Sequence, residues 1–327
     1  MKTIVVAGLL SAMLSIFSGL LLIPILRKIK AGQTVLHFVE EHKNKNGTPT
    51  MGGLFFITSA VIIFFLFGGG EGRMAIVAVS IGLSFMLVGF IDDFIKIRFH
   101  RNEGLKAYQK IIFQSAIAVI AGIFAYKNGI TVFHIPFSLK TVDIKIYTIP
   151  IVAIIFIAIT NSVNLTDGLD GLAGNVSLVY LLSMTALVIV QATCFKRLYL
   201  RVEEYYRLNL LSVCLVGALC GFLVFNSSKA RIFMGDTGSL SLGGFIGAIS
   251  IFTSNSFFIP VIGIMFVLSS ISVIVQVTHY KRTKKRVFLM SPLHHHFQMK
   301  GYSETQISYC YSLVTAVFGI VSVLFYL

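Results

Sequence analysis

The stretch that decides the fold runs from Thr237 to Tyr280 and reads TGSLSLGGFIGAISIFTSNSFFIPVIGIMFVLSSISVIVQVTHY. Its 44 residues include no Asp, Glu, Lys or Arg. A helix that crosses the roughly 30 Å hydrocarbon core of a bilayer needs about 20 mostly apolar residues, so this run is long enough for two helices. Ser254-Asn255-Ser256 and Pro260 mark the turn expected between them. The stretch therefore predicts two consecutive membrane-spanning helices.

The rest of the chain has the same apolar character. Of its 327 residues, 56% are hydrophobic and only 12% are charged, and the mean hydropathy is +0.87. Soluble domains carry about 25% charged residues, so this chain could not cover a water-facing surface. Eight further uncharged stretches each suit one crossing: Thr3–Leu26, Met51–Gly70, Met74–Ile91, Ile111–Tyr126, Ile146–Thr166, Gly171–Phe195, Leu208–Ser228 and Thr305–Leu327. We expect an all-α polytopic membrane protein with about ten transmembrane helices, in a single domain over residues 1–327.

The basic residues predict how these helices are oriented. Loops after odd-numbered helices carry 18 of the 27 Lys and Arg residues. Because cytoplasmic loops are enriched in Lys and Arg, these loops are predicted to be cytoplasmic and both termini extracytoplasmic. Most of the formal net charge of +14 is then explained by membrane orientation, and no nucleic-acid partner is expected. The first stretch is too long for a signal peptide and is followed by Arg27, Lys28 and Lys30, which predicts a retained helix.

The scarce acidic residues gather after odd-numbered helices, on one membrane face. Five clusters share this position: Lys45 to Gly53, Asp92-Asp93, Asn164 to Gly171, Phe233 to Gly238 and His294 to His296. Carboxylates with few sulfur ligands suit Mg²⁺, which proteins usually hold together with substrate phosphates. Phosphoryl transfer depends mainly on positioning and charge neutralisation, and this set of residue types fits it. A site at the membrane boundary indicates one lipid phosphate and one soluble phosphate ester as substrates.

Each cluster also admits a purely structural interpretation, which the residues alone leave open. Asp92 and Asp93 could be hydrated acids at a helix end, although acids at a helix C-terminus oppose the dipole. Asp236 precedes a new helix and could cap it rather than bind a metal. The run of three histidines makes a poor zinc site, because adjacent side chains diverge and no cysteine completes it. Hydrogen bonding to phosphate oxygens fits the histidines better.

The residues around these clusters resemble the signatures of a known family. The resemblance rests on Gly47-Thr48-Pro49-Thr50-Met51-Gly52-Gly53, Asp92-Asp93-Phe94-Ile95-Lys96, Asn164-Leu165-Thr166-Asp167-Gly168-Leu169-Asp170-Gly171-Leu172-Ala173, Phe233-Met234-Gly235-Asp236-Thr237-Gly238-Ser239-Leu240 and Pro292-Leu293-His294-His295-His296-Phe297. These stretches are similar to those of the phospho-N-acetylmuramoyl-pentapeptide transferases, a branch of the polyprenyl-phosphate N-acetylhexosamine-1-phosphate transferases. The histidine block is the element that indicates this branch.

The resemblance implies an activity and its partners. The expected reaction transfers phospho-MurNAc-pentapeptide from UDP-MurNAc-pentapeptide to undecaprenyl phosphate, giving lipid I and UMP at the cytoplasmic face of the bacterial cell membrane. Dependence on Mg²⁺ and a homodimer are also implied. Direct displacement and a covalent aspartyl-phosphate route would use the same residues. Two rivals stay open: transfer of GlcNAc-1-phosphate, and secondary transport, which is disfavoured because transporters place ionisable residues near the bilayer midplane.

Carried over by motif position, the resemblance implies roles for fourteen residues. The catalytic residues would be Asp92, Asp93 and His294, and the Mg²⁺ ligand would be Asp236. The residues expected to line the polar substrate site are Lys45, Thr50, Lys110, Asn164, Asp167 and Asn226, with His295 and His296 near it. The uridine pocket would receive Asp170 and Phe233. Gln298 stands where the family pattern has a glutamate, which removes a charge close to the histidines.

Overall fold

A computed structural model describes residues 2–29, 47–99, 103–194 and 202–327, and its fold is almost entirely helical. Its helices, in chain order, are α1 (Lys2–Lys28), α2 (Gly53–Leu66), α3 (Arg73–Arg98), α4 (Ala107–Lys127), α5 (Thr148–Thr166), α6 (Leu172–Cys194), α7 (Val202–Asn226), α8 (Gly235–Phe252), α9 (Ile259–Ile262), α10 (Ile264–Thr283), α11 (Leu293–Met299) and α12 (Glu304–Leu324). Each of the ten predicted crossings coincides with one of α1 to α8, α10 or α12. The polytopic helical fold is confirmed, whereas the orientation of the termini stays a prediction.

Eight of the helices in the described ranges are long and apolar enough to cross a membrane: α1, α3 to α7, α10 and α12. The other two predicted crossings differ from these. α2 has only 14 residues. α8 is rich in Gly and Ser, and every residue from Thr237 to Phe252 is buried. A helix enclosed by other helices needs no lipid-compatible surface, which explains why α8 can carry so many Gly and Ser residues.

α8 packs against α2, α3 and α5 at the centre of the bundle. Glycines bring the backbones together at these crossings, as small residues do between helices in membranes. A Cβ placed on Gly89 of α3 would lie 2.1 Å from the carbonyl oxygen of Asp236, and one on Gly53 of α2 would lie 2.4 Å from the Cα of Gly238. The N-terminus of α8 is therefore wedged between α2 and α3. This position is what brings Asp236 to the aspartates of α3.

Two local features qualify the sequence predictions. Between α4 and α5 the chain forms a small antiparallel hairpin of β1 (Val132–His134) and β2 (Thr141–Asp143), which the all-α prediction omitted. Strands of three residues are too short to show an alternating pattern in sequence. The predicted turn after α8 is confirmed, because α8 ends at Phe252 and Pro260 lies in the first turn of α9.

Candidate active site

Three carboxylates meet where the C-terminal part of α3 contacts the N-terminus of α8. Asp92 and Asp93 of α3 are 0% and 2% exposed. Asp236 lies in the first turn of α8. Each of the three offers an oxygen atom within 4.8 Å of the others. We call Asp92, Asp93 and Asp236 the carboxylate cluster.

Two lysines neutralise part of the negative charge of this cluster. Lys96 Nζ lies 2.7 Å from Asp92 Oδ2, 3.3 Å from Asp236 Oδ2 and 3.8 Å from Asp93 Oδ1. Lys110 Nζ, from α4, lies 3.0 Å from Asp92 Oδ1 and also pairs with Asp236. The family resemblance implies a substrate-binding role for Lys110 but none for Lys96. Lys96 follows Asp93 by three residues and Asp92 by four, and this spacing places the lysine on the same helix face as the aspartates. The spacing was therefore a sequence signal for the contact.

Asp93 caps α8 from the neighbouring helix. Its carboxylate accepts hydrogen bonds from Thr237 N at 3.0 Å, Thr237 Oγ1 at 2.7 Å and Asp236 N at 3.3 Å. A negative charge at a helix N-terminus is stabilised by the dipole and by the free N–H groups. The cap that the sequence could have assigned to Asp236 is thus supplied by Asp93, and the Asp236 side chain joins the cluster instead. Gly235, at φ 72°, leaves room for this contact, since a Cβ there would lie 2.5 Å from Asp93 Oδ2.

Asn164 and Thr50 border the carboxylate cluster. Asn164 Nδ2 donates hydrogen bonds to Asp236 Oδ1 at 2.8 Å and to Ser239 Oγ at 2.9 Å, which fixes one carboxylate oxygen of Asp236. Thr50 is 3% exposed, and its Oγ1 has no hydrogen-bond partner among the described residues. A Cβ on Gly235 would lie 2.6 Å from that oxygen, so Thr50 adjoins the start of α8. Lys45 lies outside the described residues.

Asp167 and His294 extend the site from the end of α5. Burial, together with the nearby negative charges of Asp236, Asp93 and Asp170, raises the pKa of Asp167 to about 8. A Cβ on the next residue, Gly168, would lie 2.3 Å from His294 Nε2, so the imidazole rests directly on this turn. The structure therefore connects the histidine block to the Asp167 turn, although the two are far apart in sequence.

His294 is the most isolated polar side chain of the site. It is 0% exposed, and neither ring nitrogen has a hydrogen-bond partner within the described ranges. Burial and the adjacent His295 hold the pKa of His294 well below its usual range. The ring is therefore neutral and offers one N–H donor and one acceptor. Buried polar atoms without partners are rare in proteins, and these two are available to a substrate.

The other two histidines have protein partners. His295 Nδ1 lies 3.0 Å from Gln298 Oε1. His296 Nδ1 accepts a hydrogen bond from Leu289 N at 3.2 Å. Because Gln298 is uncharged, it supplies His295 with a hydrogen-bonding group but with no negative charge. The proposed role of these two histidines near the substrate stays a prediction.

Asp170, Asn226 and Phe233 lie where the turn after α5 meets the end of α7 and the loop that follows it. Asp170 Oδ2 accepts a hydrogen bond from Ala230 N at 2.9 Å. Asn226 accepts from Gly171 N at 3.1 Å and donates to the carbonyl of Ile232 at 2.9 Å. These bonds tie the loop after α7 to the turn after α5. A uridine-binding role for Asp170 and Phe233, and a place for Asn226 in the polar substrate site, stay predictions.

Two further hydrogen bonds hold the backbone of Phe233 and of Asp170 in place. The backbone N of Phe233 donates to the carbonyl of Pro49 at 2.8 Å. Glu304 of α12, for which no motif predicts a role, accepts a hydrogen bond from the backbone N of Asp170 at 2.8 Å. Since 134 residues separate Glu304 from Asp170, no local sequence signal could have indicated the contact.

The donor set of the carboxylate cluster fits Mg²⁺. Its three side chains offer only oxygen ligands, which is the preference of this ion. Magnesium usually takes one or two protein carboxylates and completes its coordination with water and substrate phosphates. Asp236 is the most exposed of the three, since its side chain is 15% exposed while those of Asp92 and Asp93 are 0% and 3% exposed. It is therefore the carboxylate best placed to hold an ion that also contacts a substrate.

Comparisons with known proteins indicate the family of this chain. The model of glycosyl transferase family 4 matches residues 73–254, and signature 1 of the phospho-N-acetylmuramoyl-pentapeptide-transferases matches residues 45–57. The phospho-N-acetylmuramoyl-pentapeptide-transferase of Thermoanaerobacter sp. (strain X514) is 41% identical over 320 residues, which cover 97% of this chain and 96% of the relative. That of Clostridium novyi (strain NT) is 38% identical and covers 99% and 97%, and that of Clostridioides difficile (strain 630) is 39% identical and covers 97% and 96%.

Proposed function

This chain belongs to the family of phospho-N-acetylmuramoyl-pentapeptide transferases, and from that premise we propose that it makes lipid I. The reaction transfers phospho-MurNAc-pentapeptide from UDP-MurNAc-pentapeptide to undecaprenyl phosphate and releases UMP. The observation that carries the proposal is the carboxylate cluster, in which one oxygen of each carboxylate lies within 4.8 Å of the others, beside two lysines. Such a set of fixed charges suits phosphoryl transfer, which depends on positioning and charge stabilisation.

The proposed chemistry is a single displacement. An oxygen of undecaprenyl phosphate forms a bond to the sugar-bearing phosphorus of the UDP-linked substrate. The bond from that phosphorus to the bridging oxygen breaks, and UMP leaves with that oxygen. Asp93 is held at the N-terminus of α8, and Asp92 Oδ1 accepts a hydrogen bond from Leu105 N. We therefore assign Oδ2 of Asp92, which lies 2.7 Å from Lys96 Nζ, to accept the proton of the attacking phosphate. An aspartyl-phosphate intermediate is the alternative, and it would use the same pair of aspartates.

The remaining residues of the site would bind and orient the substrates. Lys96 and Lys110, which now pair with Asp92 and Asp236, are placed to contact phosphate oxygens that enter the cluster. The neutral His294 can donate a hydrogen bond to a substrate oxygen, since neither of its ring nitrogens has a partner among the described residues. Mg²⁺, when bound at Asp236, would neutralise negative charge on the pyrophosphate.

We further propose the cellular setting. The eight apolar helices support a multi-pass protein. The excess of basic residues in the loops after odd-numbered helices supports an active site on the cytoplasmic face of the bacterial cell membrane. The family resemblance supports one transferase domain over residues 1–327 and a homodimer.

A detergent assay of UMP release tests the proposed function. The purified chain is given undecaprenyl phosphate, Mg²⁺ and either UDP-MurNAc-pentapeptide or UDP-GlcNAc. We expect UMP only with the muramoyl donor and only when the lipid is present. UMP release with UDP-GlcNAc instead would assign the chain to GlcNAc-1-phosphate transfer. If UMP is released with neither donor, the proposal is contradicted. A transferase works in detergent, whereas a transporter needs two compartments and would show no activity in this assay.

A second experiment separates the two chemical routes. The enzyme is incubated without undecaprenyl phosphate and with a donor labelled on the phosphate that is transferred. Direct displacement predicts no label on the protein. A labelled enzyme that releases its label when the lipid is added would overturn direct displacement and support the covalent route.

A further inference from the structure

A cleft lies between the C-terminal part of α1 and the end of α7, outside the carboxylate cluster. Its volume is about 240 Å³. The side that faces the middle of the bundle is apolar or small, and its residues are Gly19, Leu20, Ile23, Pro24 and Phe225. Arg27 and Arg231 complete the lining. Neither the sequence motifs nor the proposed reaction assigns a role to this cleft.

The cleft is polarised along the helix axis. Gly19 and Arg27 are eight residues apart on α1, which corresponds to about 12 Å along a helix that rises 1.5 Å per residue. Arg27 lies in the last turn of α1, and Arg231 follows the end of α7 at Asn226. Both cations therefore lie at one end of the cleft, and the apolar lining runs from them toward the middle of the helices.

The two charged side chains that line the cleft in the described ranges, Arg27 and Arg231, are both positive. No acidic side chain lines the cleft in the part of the chain that the structure describes. The guanidinium carbon of Arg231 lies 5.7 Å from the centre of the Phe225 ring, which holds this cation over the cleft. The cleft is also open to the surroundings of the bundle, because Leu20 is 55% exposed.

We propose that this cleft binds one anionic phospholipid of the bilayer. The phosphate contacts Arg27 and Arg231, and the adjoining part of an acyl chain lies against Leu20, Pro24 and Phe225. A free phosphate ion would leave the apolar part of the cleft unfilled. A basic residue that only orients a helix needs no cleft beside it, whereas a lipid needs both a cation at the membrane surface and an apolar groove beneath it.

Native mass spectrometry of the delipidated full chain in neutral detergent tests this proposal. The probes are phosphatidylglycerol, which is anionic, and phosphatidylcholine, which is zwitterionic. We expect the first phosphatidylglycerol to bind on the order of tenfold more tightly than phosphatidylcholine, because two arginines act on one phosphate. The double variant Arg27→Gln/Arg231→Gln should lose this preference.

The chain offers a matched control at the same two helix ends. Lys28 and Lys229 are each close in sequence to one of the arginines, are exposed, and do not line the cleft. The variant Lys28→Gln/Lys229→Asn removes the same net charge and should keep the preference. An equal loss in both double variants would overturn the proposal, because the effect would then be general surface charge. A wild-type protein without any preference would overturn it as well.

Competition identifies the source of the lipid phosphate. Undecaprenyl phosphate added at equal concentration should leave the bound phosphatidylglycerol in place. Its displacement from the wild type, but not from the arginine variant, would overturn the assignment to a bilayer phospholipid. Since the readout is binding rather than turnover, the result does not depend on the proposed function.

Discussion

Carboxylates lie near both ends of α3, but their surroundings differ. At the N-terminal end, Glu204 of α7 accepts hydrogen bonds from the backbone N of Arg73 and of Met74, each at 3.0 Å. Negative charge at this end stabilises a helix. Asp92 and Asp93 lie more than one turn before the C-terminal end of α3, where they are buried and the helix has no free N–H groups to offer them.

The difference shows which of the carboxylates stabilise the fold and which need stabilising. Among the described residues, Glu204 bonds the two N–H groups at the start of α3. The aspartates near the other end need Lys96, Lys110 and the N-terminus of α8 around them. Carboxylates that are buried, with compensating positive charges around them, are typical of functional sites. We therefore expect substitutions at the two ends to separate activity from stability.

The largest expected effect is on turnover, from Asp236→Asn. This change removes a negative charge that two lysines and the proposed Mg²⁺ share, so UMP release should fall by about 10²–10³-fold or more. The rate of UMP release in detergent is the measurement. Asp143→Asn, on the exposed hairpin, is the control and should stay within a few-fold of wild type. Residual activity above one-tenth would mean that Asp236 is not the ligand.

Asp92→Asn and Asp93→Asn should both reduce turnover, but only the second should also loosen α8. The amide introduced by Asp93→Asn would keep an acceptor oxygen and lose the charge that faces the N-terminus of α8, so we expect a loss of about 1–2 kcal/mol of stability. The midpoint of thermal unfolding in detergent measures this difference. If Asp92→Asn lowers the midpoint more than Asp93→Asn does, the capping role of Asp93 is contradicted.

Asp167 should make stability depend on pH. With a folded-state pKa of about 8 and an unfolded value near 3.9, the folded protein binds more protons between these values. Stability should therefore decrease as the pH rises through this window and level off above it. Asp167→Asn removes this effect, so the variant should gain thermal stability over wild type as the pH is raised from 5 to 9 in EDTA. A difference that is independent of pH would contradict the shift.

The smallest effect is expected at the N-terminal end of α3. Glu204→Gln keeps an acceptor but removes the charge, and should cost about 0.5–1 kcal/mol. Turnover should be unchanged, because Glu204 is at the opposite end of α3 from the carboxylate cluster. Glu203→Gln is the matched control, since Glu203 is exposed and adjacent. A large loss of UMP release in Glu204→Gln alone would remove the distinction between the two ends.

Features that sit at helix ends could be predicted from sequence, because uncharged stretches mark those ends. Asp92, Asp93 and Asp236 were placed on one face by counting helices, and the structure brings them together. Lys96 could have been found from its helical spacing to the same aspartates. The cap that Asp93 provides for α8 depends on contacts between residues more than 140 positions apart, which no local pattern encodes.

The same limit applies to the histidines and the hairpin. The sequence indicated that His294 takes part in the site, but its position on Gly168 follows only from the packing of α11 against the turn after α5. The β1–β2 hairpin is held by contacts to distant segments, including the hydrogen bond from Tyr326 Oη to the carbonyl of Ser138 at 3.1 Å. Short strands of this kind acquire their structure from tertiary contacts rather than from propensity.

The glycine contact between α3 and α8 has a consequence for motion. At Gly89 no side chain separates the two backbones, and a single methyl group would collide with the carbonyl of Asp236. Close-packed elements of this kind have no layer of flexible side chains along which to slide, so α3 and α8 should move as one rigid body. Any closure around bound substrates must then come from other elements, whose flexible side chains contact the carboxylate cluster. An example is Lys110 on α4, with its four-carbon side chain. The aspartates would stay fixed throughout the catalytic cycle while the groups around them move.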